Sequence, residues 1–319
     1  MKVVAVCGSG RSGSTLLNAL LGSLPGCFAG GELRFLWERG VMAGRQCGCG
    51  RSVWDCQVWG AVLSAPEFSD VDARTVVALQ HATARLRHLP KVRRAEWARP
   101  RSELAKLVRV MSDLYHVLAR VTGADVIIDS SKRPADVAIL RLLPNIEPFV
   151  VHLVRDPRAV AFSWERQKVE IDREQPVDMK RMSPTASTVE WVGLNLGAEV
   201  VCRRVGPGRS LRIRYEDLVA QPRATLAAIT TLAGTPQTPS PLIDDHTVRL
   251  EPNHMVFGNP DQFRTGLMPL RVDDAWRTDI RGAPWTAATL LAIPMLMRYG
   301  YSLPDGNPLQ QRRHLSCAE

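Results

Sequence analysis

The chain has 319 residues, 45% of them hydrophobic and 23% charged, with a formal net charge of +9. That composition is ordinary for a soluble globular protein with a substantial core, and no apolar run approaches the ~18 residues that a bilayer span requires. The opening stretch, Met1 to Gly8, runs straight into a glycine loop without the apolar region of a secretory leader, so the expected location is cytoplasmic.

In chain order, residues 3–7 form a short continuous apolar run that ends in glycines, the pattern of a buried parallel strand. Leu16, Leu17, Leu20 and Leu21 then recur at helical spacing until Pro25-Gly26 closes the segment. Three cysteines follow as Cys47-Gly48-Cys49 and Cys56. Three thiolates suit zinc, but no fourth ligand stands at a suitable spacing nearby. A local structural role is expected first, a disulfide and a metal site stay open as alternatives, and no metal ligand is assigned.

A helical insertion is expected over about residues 60–122. Its second half places Leu104, Leu107, Val108, Met111, Leu114 and Leu118 on one apolar stripe. Residues 85–109 hold nine cations against only Glu96 and Glu103. Such a run reads as a solvated face, or as a surface for an anionic or membrane-borne acceptor. Trp97 alone is interleaved with it, which speaks against nucleic-acid binding by stacking.

Further buried strands are expected at residues 125–129, 149–154 and 211–215, each followed by a helix, at 134–143, from Pro157, and at 223–233. Residues 173–185 are polar, contain Pro176 and Pro184, and read as a loop. From about 236 to 319 the chain is expected to be irregular apart from a helix near 286–298. The alternation predicts one α/β domain over 1–319, a P-loop-type central parallel sheet with helices on both faces.

The first strand-to-helix turn, Gly8-Ser9-Gly10-Arg11-Ser12-Gly13-Ser14-Thr15, has the glycine spacing of a Walker A loop. Ser14 stands in the lysine position. Backbone N–H groups of Gly10 to Thr15, with the helix N-terminus behind them, still make an anion cradle, and Arg11 puts a fixed charge in it. A kinase needs the absent lysine on its nucleotide phosphates. A second strand-to-helix turn carries Arg155 at the strand end and Ser163 eight residues later, a guanidinium clamp and a hydroxyl suited to phosphate.

The loop, together with Arg155 and Ser163, resembles the sulfotransferases that use 3′-phosphoadenosine 5′-phosphosulfate. The resemblance implies that residues 10–15 hold the 5′-phosphosulfate and that Arg155 and Ser163 hold the 3′-phosphate. Arg214-Tyr215-Glu216-Asp217-Leu218 is similar to a segment of carbohydrate and tyrosylprotein sulfotransferases, which puts Tyr215 near the nucleotide. His254-Met255-Val256-Phe257-Gly258-Asn259-Pro260 and Arg264 resemble the segment that closes over it. In tyrosylprotein sulfotransferases a glutamate follows the loop arginine by 21 residues and an arginine comes two later. Arg11, Glu32 and Arg34 repeat that spacing.

Sulfonyl transfer needs a base for the acceptor hydroxyl and cations at the leaving phosphate, with no metal required. Glu32 is the expected base. Lys132, just beyond a strand's C-terminal end where open sheets bind ligands, joins Arg11 at the leaving oxygen. Ser130 and Ser131 are expected to cap the next helix. None of the seven histidines forms a ligand pair at helical spacing, and His152, inside a strand, reads as structural. The expected activity is sulfonate transfer to a hydroxyl of a carbohydrate, lipid, phenol or peptide. A nucleotide-binding protein without transfer activity and a small-molecule kinase are the alternatives.

Overall fold

The computed structural model describes residues 1–92, 102–235, 240–280 and 282–302. Five strands build its centre: β1 (Lys2–Gly8), β2 (Cys27–Gly31), β3 (Val126–Lys132), β4 (Glu147–Val154) and β7 (Ser210–Arg214). They pair in the order β2-β3-β1-β4-β7, every neighbour parallel. Residues of β1 alternate between faces with the two-residue period of a strand. Val3, Ala5 and Cys7 join one apolar cluster, and Val4 and Val6 the other.

Helices cover both faces: α1 (Ser14–Gly22), α2 (Gln57–Leu63), α3 (Ala73–Thr83), α4 (Glu103–Thr122), α5 (Pro134–Leu140), α6 (Pro157–Glu165), α7 (Pro184–Val205), α8 (Tyr215–Ala220) and α9 (Pro222–Ala233). Helices α2, α3 and α4 lie between β2 and β3, in the stretch read as an insertion. Helix α4 starts where the Ser102 hydroxyl accepts the Ala105 N–H at 3.1 Å and stops at Gly123, whose φ of +68° is left-handed. Its stripe of Leu107, Leu114 and Leu118 lies in the first cluster. Of the basic stretch, Arg93, Arg94, Arg99 and Arg101 lie outside the described residues.

Two expectations change. The polar loop at 173–185 is in fact crossed by a hairpin, β5 (Val169–Glu170) with β6 (Val177–Asp178), and ends in the 22-residue α7. That helix buries Thr188, Trp191, Leu194, Asn195 and Val201, among others, so it has no single apolar stripe to read. The segment after 236 is also less irregular than expected. It holds the hairpin β8 (Thr247–Leu250) with β9 (Gly266–Pro269) and the helices α10 (Trp276–Asp279) and α11 (Ala283–Arg298). No helix among the described residues is long and apolar enough to cross a membrane.

His152 is structural in the fold. It is buried in β4 with Nε2 2.9 Å from Asn195 Oδ1, while the Asn195 amide nitrogen donates to Trp191 O at 2.8 Å. The asparagine oxygen therefore accepts from the imidazole. Burial lowers the His152 pKa to about 4. In the unfolded chain it titrates near ~6.5, so between these values the unfolded state binds the extra proton. The stability that His152 contributes is complete above about pH 6.5 and is lost as the pH falls toward 4. Urea unfolding at pH 5 should show about 2 kcal/mol less stability from this source than at pH 7. His152→Gln should flatten the dependence, and an unchanged slope would remove the assignment.

Candidate active site

The strand order reverses between β1 and β4, since β1 connects toward β2 while the chain after β4 leads to β7. Crevices at such points, beyond the carboxyl ends of the strands, are where open α/β sheets take ligands. A cavity of about 510 Å³ opens there, within the usual size for a small-molecule site. Among the described residues, nine cations and five carboxylates line it, so its field favours an anion.

The loop from β1 to α1 forms its floor. Gly13 has φ +89°, and a Cβ there would lie 2.3 Å from the Tyr215 ring. Only glycine lets the loop pass that close to the tyrosine. No side chain caps the N-terminus of α1, and Gly10, Arg11, Gly13, Ser14 and Thr15 all face the cavity. The Ser12 hydroxyl is buried with no hydrogen-bond partner among the described residues. Uncapped helix N–H groups and an orphaned hydroxyl are donors waiting for an oxyanion.

Arg11 adopts the left-handed region at φ +62°, strain that a non-glycine residue carries only where surroundings impose it. Its guanidinium stacks 4.7 Å from the Trp164 ring and donates to Asn259 Oδ1 at 3.2 Å. Asn259 in turn donates its backbone N–H to Thr15 Oγ1 at 3.1 Å. The C-terminal segment thus closes on the loop from above.

Arg155 leaves the end of β4 and donates to the Arg11 carbonyl at 3.0 Å. Its guanidinium lies 4.6 Å over the Tyr215 ring and 3.6 Å from Asp273. Ser163, two turns into α6, is buried yet lines the same cavity. Tyr215 lines it as well, at the start of α8. Arg264 reaches the cavity at its exposed rim, paired with Asp261 at 3.0 Å.

Glu32 follows β2 directly, and its N–H donates to Val256 O at 2.7 Å. Lys132 Nζ donates to the Glu32 carboxylate and to Ser130 O at 3.2 Å. Lys132 also has a positive φ, +68°, where the β1–β3 register shifts. That bulge turns the lysine toward the cavity, as bulges beside functional sites do. The second glutamate oxygen lies 3.9 Å from Arg39, whose guanidinium rests 3.8 Å over Phe35.

Two details of the sequence reading shift. Arg34, picked out by spacing, lies inside a 3₁₀ turn, Leu33–Phe35, and points away from Glu32 to pair with Asp136 at 2.5 Å, while the π-helix that follows, Leu36–Met42, carries Arg39 back toward it. Arg39 takes the place beside Glu32 instead. Ser131 does not cap α5. Its hydroxyl donates to Asp129 at 2.5 Å and accepts the Arg34 N–H at 3.0 Å.

Asn259, from the segment expected to close over the nucleotide, faces the cavity, as do Lys168, Trp164 and Arg39, which no motif marked. Lys168 is held below the usual lysine range by burial first and by Arg11 second. Among the described members of the basic stretch, Arg85, Arg87, Lys91, Lys106 and Arg109, none lines this cavity.

A family model described as the sulfotransferase family matches residues 4–239. Carbohydrate sulfotransferase 2 of Mus musculus and of Homo sapiens are each 32% identical over 138 residues, 32% of this chain and 26% of theirs. The chain thus spans about a quarter of the length of the curated relatives it matches. The sulfotransferase domain from the Synechococcus PCC 7002 olefin synthase superposes with a TM-score of 0.55 at 22% identity, covering 95% of this chain and 96% of that one. The sulfotransferase domain from the curacin biosynthetic pathway gives 0.53 at 18%, covering 95% and 99%. These two show a shared fold.

Proposed function

The chain belongs to the sulfotransferase family, and we propose that it moves a sulfonate group from 3′-phosphoadenosine 5′-phosphosulfate to a hydroxyl with Glu32 as base. The observation that carries this reading is the convergence, in one cavity, of the uncapped α1 N-terminus with Arg11, Arg155, Lys132 and Glu32. The orphaned Ser12 hydroxyl and the side-chain-free Gly13 fit an oxyanion seated against the loop.

The donor supplies an activated sulfur–oxygen bond to a phosphate leaving group. Loop N–H groups and Arg11 hold its 5′ end, and Arg155 with Ser163 holds the 3′-phosphate, with Tyr215 and Arg264 flanking the nucleotide. Glu32 takes the proton of the acceptor hydroxyl as its oxygen bonds to sulfur. Lys132 offers an ammonium proton to the departing phosphate oxygen, which keeps the electron pair of the broken bond. Lys132 donates to the Glu32 carboxylate, so base and cation sit together at the ends of adjacent strands.

No metal enters these steps. The acceptor is proposed to be a carbohydrate, lipid, phenol or peptide hydroxyl, with anionic acceptors favoured by the cavity's own cations. A cytoplasmic location suits the free thiols of the described cysteines.

Calorimetric titration tests the donor. Adenosine 3′,5′-bisphosphate should bind more tightly than ATP with magnesium by at least about tenfold, about 1.4 kcal/mol. The reverse order would overturn the reading in favour of a kinase. Binding of the bisphosphate without its release from the sulfated donor in the presence of any hydroxyl acceptor would overturn the transfer step.

A further inference from the structure

A second constellation lies away from the cavity. The Cys47-Gly48-Cys49 turn and Cys56, at the start of α2, converge with His254, which arrives from the opposite end of the chain. The three sulfurs and the imidazole nitrogen all lie within 4.8 Å of one another. Cys47 Sγ is 2.9 Å from Cys49 Sγ and 3.4 Å from Cys56 Sγ. His254 Nδ1 is 3.2 Å from Cys56 Sγ and 4.0 Å from Cys47 Sγ. The fourth ligand missing from the local spacing is thus supplied by the fold.

The backbone builds this group without help from the thiols. Gly48 N–H donates to Met255 O at 2.8 Å, and Cys47 N–H to Arg51 O at 2.9 Å. Trp59 Nε1 donates to the His254 carbonyl at 2.7 Å. Gly48 has no room for a side chain, since a Cβ there would lie 2.1 Å from Asn253 Oδ1. The Cys49 N–H points at Cys47 Sγ, 3.4 Å away, the outer-shell contact that steadies a metal-bound thiolate.

We propose that Cys47, Cys49, Cys56 and His254 form a structural zinc site. Three soft sulfurs with one imidazole are a set that zinc takes in closed tetrahedral sites. With zinc–sulfur bonds of ~2.3 Å, tetrahedral sulfurs stand about 3.8 Å apart. The Cys47–Cys49 and Cys47–Cys56 sulfur pairs need to open by about 1 Å or less, and the His254 imidazole needs to draw slightly toward Cys47. The three thiols give up their protons, so the zinc-loaded site carries a net charge of −1 with neutral histidine.

Two rival readings fit less well. A disulfide uses two sulfurs and leaves a third thiol and an imidazole packed against it without a task. A cysteine–histidine nucleophile needs access, whereas Cys47 and Cys56 are buried in the apolar cluster and absent from the cavity wall.

The site's place gives it a task. Two residues past His254, Val256 pairs with Gly31 and accepts the Glu32 N–H. Three further on, Asn259 holds Arg11 and Thr15. Zinc would pin the entry to this segment onto the 47–56 loop, fixing the strap that spans base and phosphate loop.

The test uses the full chain, purified reduced and without chelator, with zinc measured by plasma mass spectrometry. About one zinc ion per chain is expected. Reconstitution with cobalt should give the visible ligand-field bands of a tetrahedral thiolate site. Cys56→Ser should lower the zinc content to near zero. His254→Cys should keep the metal and shift the cobalt bands, which separates lost ligation from lost folding. A reduced protein that takes up neither zinc nor cobalt would overturn the proposal, as would an intact mass 2 Da light from a disulfide or full zinc retention in Cys56→Ser. None of these readouts depends on the sulfonate chemistry.

Discussion

Replacing Glu32 by alanine is expected to abolish sulfonate transfer, lowering kcat by about 10²- to 10⁴-fold, while adenosine 3′,5′-bisphosphate still binds. Glu32 is the carboxylate that sits directly beyond β2, held between Lys132 and Arg39. Its backbone is fixed by the bond from its N–H to Val256 O, which any side chain at position 32 preserves. Removing the carboxylate therefore deletes the proposed base without dismantling the strand end. Glu32→Gln refines the test, since it keeps the hydrogen-bonding shape and loses the capacity to take a proton at neutral pH. A structural role alone predicts that Gln rescues turnover, whereas the base role predicts that it does not. Turnover retained in either variant, with the fold intact by thermal unfolding, would refute the assignment.

Arg155→Ala should raise the donor KM and the dissociation constant of the bisphosphate by about 30-fold or more. Loss of one partner from a buried, hydrogen-bonded charge pair costs about 2 kcal/mol at the low end, and about 1.4 kcal/mol is tenfold. Arg155 is buried at the end of β4, so its charge is little screened. The variant keeps the bond from Trp191 Nε1 to the Arg155 carbonyl, 3.0 Å, because that is a backbone contact. Arg155→Lys should fall between wild type and alanine, since a lysine keeps the charge and loses the planar fork. An unchanged donor KM in Arg155→Ala would place the 3′-phosphate elsewhere.

Much of the fold was readable because its signals are local. The apolar runs at 3–7 and 149–154 are buried on both faces, and a strand buried that way shows as continuous hydrophobicity; β7, at the sheet edge, buries only Ile213. Helix α4 showed because one face meets the core and the other faces water. Helix α7 hid, since its buried residues include Ser187, Thr188, Asn195 and Glu199 beside Trp191 and Leu194. Its polar members are satisfied internally, as where Thr188 donates to Pro184 O at 2.8 Å. A hydrophobicity pattern reports transfer from water and is blind to such pairs.

The site divides in the same way. The loop of residues 10–15 is legible because it lies within one strand-to-helix turn, where the backbone itself makes the anion cradle, and the Arg155…Ser163 pair because both residues belong to one strand-turn-helix unit. Which arginine accompanies Glu32 was not legible, because the π-helix at Leu36–Met42 changes the phase and exchanges Arg34 for Arg39. The sequence by itself determined an α/β fold with a parallel sheet, the sulfotransferase resemblance and the residues that could meet an anion. Tertiary structure alone decided that Glu32 meets Lys132, 100 residues on, that Arg11 meets Asn259, 248 residues on, and that Cys56 meets His254, 198 residues on. Those meetings follow from the order β2-β3-β1-β4-β7 and from the path of the C-terminal segment across it. Strand order is set by how apolar faces pack across the whole chain, and no local spacing carries that information.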